Sequence, residues 1–170
     1  MGSQTLTVLK DPNSEGTVAD IEAQTALVDE ILADRSRAAE LVNRIELMRR
    51  QIHDLRPVLE AAGDAEAVIE SGKALDARLI DVESELTQLR NTGGGDGVRW
   101  PSMIVQQLSS LQGGVATADF RPTDQQREVH TILRGRLDDA ASELDAVVAG
   151  DVAEYNRLLQ ASVGRVITTQ

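Results

Sequence analysis

From Ile21 to Leu59 apolar residues recur mostly three and four positions apart, and this run constrains the fold more than any other feature of the chain. Ile21, Val28, Ile31, Leu32, Ala38, Leu41, Ile45, Met48, Ile52, Leu55 and Leu59 carry the pattern, while Glu, Asp, Arg and Gln fill the opposite face. That spacing places the apolar side chains on one stripe of an α-helix. A helix from Val18 to about Arg56 would be roughly 58 Å long at 1.5 Å per residue, and the four-three alternation of its second half is that of coiled-coil packing. Thr17, with Asp20 three positions on, supplies a capping box at its start. Pro57 should end or kink the helix, because an interior proline removes a hydrogen bond and costs about 3 kcal/mol; a kinked helix would gain one more turn to Ala62.

The remainder repeats the theme with shorter elements. Gly63-Asp64 reads as a stop followed by a cap, and Ile69, Leu75, Leu79, Val82, Leu86 and Leu89 form the seam of a second helix ending near Asn91. The two helices make an antiparallel hairpin. Thr92 to Gly97, with four glycines and Asp96, is a flexible loop. Trp100-Pro101 then opens a third helix carrying Ile104, Leu108, Leu111 and Val115, its end weakened by Gly113-Gly114. After a turn at Asp119-Phe120-Arg121-Pro122, Thr123 and Gln126 cap a helix carrying Val129, Leu133, Leu137, Leu144 and Val148. Gly150 closes it, and Asp151 with Glu154 recaps a final helix holding Val152, Tyr155, Leu159 and Val163.

Before the first helix, Gln4 to Lys10 alternates, with Leu6 and Val8 on one face, and its Thr and Val content suits a β-strand too short to be stable alone. The predicted fold is therefore all-α: an antiparallel helical bundle with a long coiled-coil-like hairpin, a shorter helical layer and a short extended N-terminal segment. Residues 17–167 form the bundle domain. Residues 1–16 comprise an expression remnant (Met1-Gly2-Ser3), the extended strand and its connector, and residues 168–170 a frayed tail. The 2% aromatic content agrees, since a core lacking rings rests on the Leu, Ile, Val and Ala that pack helix seams.

A net charge of -11 repels phosphate backbones and anionic lipid, so nucleic acid is excluded as a natural partner class. No apolar run approaches the roughly 18 to 20 residues that span a bilayer, so membrane insertion is not expected. With no cysteine there is neither a disulfide framework nor a thiolate zinc site.

The candidate chemistry is sparse. Helical metal sites favour a glutamate three residues before a histidine, but Arg50 and Arg127 stand before His53 and His130, so no metal is expected. Asp138, Asp139, Glu143 and Asp145 read as a solvated acidic face rather than an acid and base pair. Ser71-Gly72-Lys73 lacks the earlier glycine of a phosphate loop and has Ala74 where the metal-binding hydroxyl belongs. No serine has the flanking glycines of a nucleophile elbow. No catalytic residue or cofactor is assigned. Trp100 stands out beside the glycine loop, first as a hydrophobic plug over the bundle end and second as an anchor for a ligand or partner.

Two stretches carry a more specific signal. Leu6-Thr7-Val8-Leu9-Lys10-Asp11-Pro12 leading into Ala19-Asp20-Ile21-Glu22-Ala23-Gln24 is one; Trp100-Pro101 through Gln107-Leu108 and Leu111 to Arg121-Pro122-Thr123-Asp124 is the other. Together they resemble the C-terminal region of bacterial exported proteins with sortilin-like (VPS10-like) BNR-repeat β-propellers, often labelled glycosyl hydrolases. The resemblance spans almost the whole chain, departing at Asn13, where arginine is common, and at Trp100, where Phe or Tyr precedes the proline. It implies an exported parent, periplasmic or extracellular, whose propeller carries any glycosidase or ligand site. It also implies that Gln4 to Lys10 is the last strand of a preceding β-rich module. The expected function is that of a non-catalytic accessory domain giving structural support or a protein-interaction surface. A glycan or small-molecule module using the Trp100 loop is the alternative. Self-association through the helical seam or the Leu6/Val8 edge is a further expectation.

Overall fold

The computed structural model describes residues 3–63, 65–91, 93 and 95–162. Its elements are α1 (Val18–Ala62), α2 (Glu66–Leu86), the single turn α3 (Asp96–Arg99), α4 (Ile104–Val115), α5 (Asp124–Val147), a π-helical turn (Val148–Val152) and α6 (Ala153–Ser162). The chain is an all-α bundle, with no strand among the described residues.

Three rods make up the bundle. The first is α1, whose 45 residues extend roughly 68 Å at 1.5 Å per residue. Antiparallel to it, α2 covers the second half of α1 and α4 the first, so two short helices laid end to end match one long one. The third rod, α5 continuing through the π turn into α6, returns parallel to α1. Asp20 with Arg121 and Arg37 with Asp138 share an offset of 101 residues, and Arg44 with Asp145 continues it.

Burial follows a heptad on each rod, with buried Glu83 of α2 the one departure among the described residues of α1, α2 and α5. On α1 the buried positions Gln24, Leu27, Ile31, Asp34, Ala38, Leu41, Ile45, Ile52 and Leu59 alternate by three and four, with half-buried Met48 and Leu55 completing the series. On α2 they are Val68, Gly72, Leu75, Leu79, Val82 and Leu86, and on α5 His130, Leu133, Leu137, Ala140, Leu144 and Val147. A repeat of three and four keeps one seam facing its neighbours along the whole length. In the first half of α1 the seam differs from that expected: Leu27 is buried where Val28 is only half-buried, and Leu32 is exposed.

The capping boxes at Thr17/Asp20 and Thr123/Gln126 are both formed. Pro57 neither ends α1 nor replaces its final cap. It lies on the exposed face, where water can serve the carbonyl left without a donor, while Ile52 and Leu59 pin the other face to the core. The helix closes at Gly63, in the left-handed conformation with φ 84°. The expected cap at Asp64 and the closing residues Val163 and Thr168 to Gln170 lie outside the described residues.

Other boundaries move. Helix α2 stops at Leu86 rather than near Asn91, because Thr87 turns extended and Gln88 diverts the chain. The Gln88 side chain donates to the Pro101 carbonyl at 3.0 Å and accepts from the Arg90 amide at 3.2 Å. Within the glycine stretch, Asp96 begins the one-turn α3, and α4 starts at Ile104 rather than directly after Trp100-Pro101. The Gly113-Gly114 pair is accommodated inside α4.

Gly150 does not close α5, and Asp151 does not open a new helix. The seam Leu137, Ala140, Leu144, Val147 would next place Asp151 and Glu154 in the core. The π turn adds one residue to the circuit, so half-buried Val152 and buried Tyr155 take those places and both carboxylates stay exposed.

The expected strand at Gln4 to Lys10 is not formed. The segment has no regular structure, and Leu6 and Val8 are 86% and 85% exposed. A strand needs a partner edge for its backbone groups, and an all-helical bundle offers none. Where the segment joins the bundle, Gly16 sits so close to Asp119 that a side-chain carbon would lie 1.6 Å from the Asp119 carbonyl oxygen.

Candidate functional site

The three residues singled out for interaction do not converge. Leu6 and Val8 project from the unpaired N-terminal segment. Trp100 is half-buried between α3 and α4, with the Arg90 guanidinium 4.5 Å over its ring centroid. That cation occupies one face of the indole, so a stacking sugar would need the other face or would have to displace Arg90.

Among the described residues, no group of three or more His, Asp or Glu side chains is placed to hold a metal ion, and no helix is long and apolar enough to cross a membrane. Of the acidic cluster Asp138, Asp139, Glu143 and Asp145 on α5, three pair with arginines of other helices: Asp138 with Arg37, Asp145 with Arg44 and Glu143 with Arg78. The pairs are solvent-exposed, so each contributes at most about 1 kcal/mol, and they mark the contact lines between rods.

Two polar networks link the rods instead, the first at core positions and the second at the edge of the core around buried Glu83. In the first, Asp34 of α1 faces His130 of α5 with Oδ2 2.8 Å from Nε2, and the residues are only 7% and 3% exposed. Arg134, one turn on, donates its Nε to the same Asp34 oxygen at 2.9 Å and Nη2 to Glu30 at 3.2 Å. The Asp34 hydrogen bond raises the Arg134 pKa above its ordinary value. A histidine with one nitrogen on a carboxylate is a satisfied core residue, and Arg134 balances the charge.

The second network is centred on Arg49 of α1. Its Nε bonds Asp76 at 2.8 Å and its Nη1 bonds the buried Glu83 at 2.6 Å, both on α2; His53 Nε2 approaches the other Asp76 oxygen at 3.2 Å. Burial pushes Asp76 up, but the hydrogen bonds from Arg49 and His53 outweigh it and hold the carboxyl below its ordinary value. Gln24, with Asp34 one of two buried polar residues on the α1 seam, donates to the Val115 and Ala118 carbonyls and satisfies the end of α4.

Beside the Arg49 network a cleft of about 160 Å³ opens between α1, α2 and the start of α6. Ile52, Leu59, Val68 and Ile69 form its apolar walls, Gly72 and Tyr155 its floor, and His53, Arg56, Lys73 and Asp76 its rim. Tyr155 is buried, which raises its pKa. A second depression between α4 and α5 is open and more apolar, lined by Leu111, Val129, Ile132 and Leu133.

No family model, curated protein or solved structure matches the chain. None of the polar core residues was marked by motif; the signal that finds Gln24, Asp34 and His130 is the heptad itself, extended past the apolar residues that reveal it.

Proposed function

We propose that this chain is a non-catalytic helical accessory module of a larger protein, and that it packs beside a β-rich neighbour. The sequence resemblance names the neighbour as a sortilin-like BNR-repeat β-propeller of an exported bacterial protein. The observation that carries the reading is the segment Gln4 to Lys10, where Leu6, Val8 and Leu9 are all more than 80% exposed. An alternating Leu/Val/Thr segment held in water gains from pairing, and a sheet edge supplies both backbone partners and a face for Leu6 and Val8. The close seat of Gly16 on Asp119 fixes where the segment leaves the bundle, so a paired strand would orient the helices against its own sheet.

Amide hydrogen exchange tests this directly. Residues 4 to 10 should exchange freely in this chain and become protected when the chain is produced together with the sequence that precedes it in the native gene. Equal, fast exchange in both would overturn the docking reading. The non-catalytic part stands on a separate assay: release of sugar from a glycoside panel that co-purifies with the chain and disappears on its denaturation would refute it.

A further inference from the structure

The geometry points to the cleft between α1, α2 and α6 as a binding site for a small organic monocarboxylate with a compact apolar body of about benzene size.

Gly72 occupies a seam position on α2 where every other seam residue carries an apolar side chain. Its missing side chain is what admits Tyr155: a Cβ at Gly72 would stand 3.1 Å from Tyr155 Cε2 and 3.3 Å from Ile52 Cγ2. The ring fills part of the gap, and about 160 Å³ remains beside it. An apolar cavity of roughly 150 Å³ accepts benzene. The walls of Ile52, Leu59, Val68 and Ile69 make the inner end a place for carbon and not for charge.

The opening is lined by two basic side chains, Arg56 and Lys73, and one acid, Asp76. Asp76 is already occupied by Arg49 and His53. Arg56 and Lys73 are held only by exposed glutamates of their own helices, Glu60 and Glu70, in pairs of the kind worth about 1 kcal/mol or less. A ligand carboxylate can therefore take over either cation at little cost. Tyr155 lines the same cleft, and its hydroxyl is a group able to donate to a carboxylate.

The test is a chemical-shift titration of the chain with benzoate, with benzyl alcohol as the uncharged match in shape. Benzoate should shift the amides of Gly72, Lys73 and Tyr155 saturably, with a dissociation constant of about 1 mM for so few atoms. Benzyl alcohol should bind about tenfold more weakly. Lys73→Gln combined with Arg56→Gln, both at exposed positions, should weaken benzoate about tenfold and leave benzyl alcohol unchanged. Shifts that do not saturate or do not map to the cleft would overturn the proposal. So would equal affinity for acid and alcohol, or benzoate binding indifferent to the double substitution in a protein whose spectrum shows it folded.

Discussion

Asp34 and His130 meet through a 2.8 Å hydrogen bond across the α1 and α5 seams, each standing at a heptad position that its neighbours along the seam fill with apolar residues. A polar layer of this kind favours one alignment of the rods over its slipped alternatives, because a slip buries both groups without partners. Truncating either partner leaves the other in the core, so Asp34→Ala and His130→Ala should each lower stability by about 2–4 kcal/mol in urea denaturation. The joint replacement Asp34→Leu/His130→Leu should cost far less than the sum and retain a folded bundle. Additive losses would show that the pair is not coupled.

Acid should weaken the start of α1 through Asp20. Its carboxylate accepts from the Thr17 hydroxyl and amide and from Arg121, and these, with the Thr17 hydroxyl bond largest, lower its pKa from 3.8 to about 2. Because the folded value lies below the ordinary one, the unfolded chain takes up the proton first as pH falls. The contribution is complete above about pH 4 and lost as pH falls through about 2. In Asp20→Asn the melting temperature should fall less steeply over that window than in the parent chain. An unchanged slope would place the acid sensitivity elsewhere.

How far the residues alone announced this arrangement varies by element. The all-helical bundle, the α1–α2 hairpin and the two threonine capping boxes follow from local spacing and were legible, since capping and amphipathic periodicity act over a few residues. The seam of the first half of α1 was not, because polar Gln24 and Asp34 take core positions while apolar Val28 and Leu32 stand off the seam. Only continuing the three-four count backwards from the unambiguous seam positions Ile45, Ile52 and Leu59 finds them. The same holds for His130, hidden by exposed Val129. The cleft depends on Gly72 meeting Tyr155, residues far apart in sequence, and no local rule links them.

Pro57 offers a stabilising substitution. It sits inside α1 on the exposed face, where it denies a donor to the carbonyl one turn earlier yet serves no packing contact in the core. Pro57→Ala restores that hydrogen bond and a good helix former, against a smaller loss from a more flexible unfolded chain. Stability should rise by about 1–2 kcal/mol with the helical circular dichroism preserved. A loss of stability would mean that the proline shapes the hairpin end against α2 and α6.

The π turn makes the sharpest test of the third rod. Deleting one residue from a long helix rotates everything beyond it by about 100°, which ordinarily removes a whole apolar face from the core. Here the seam ahead of the turn, ending at Leu144 and Val147, is already one residue out of step with the seam beyond it at Val152 and Tyr155. Removing Gly150 lets the π turn relax to α-helix while Val152 and Tyr155 slide into the two positions the heptad specifies. The Gly150 deletion should therefore fold, within about 1 kcal/mol of the parent in urea, and its α5–α6 rod should be one regular helix. Deleting Asp138, inside the regular part of α5, should cost more than about 3 kcal/mol, because Ala140, Leu144 and Val147 then leave the seam. If the two deletions were equally damaging, the π turn would not be the device that keeps Tyr155 in the core and Glu154 in water.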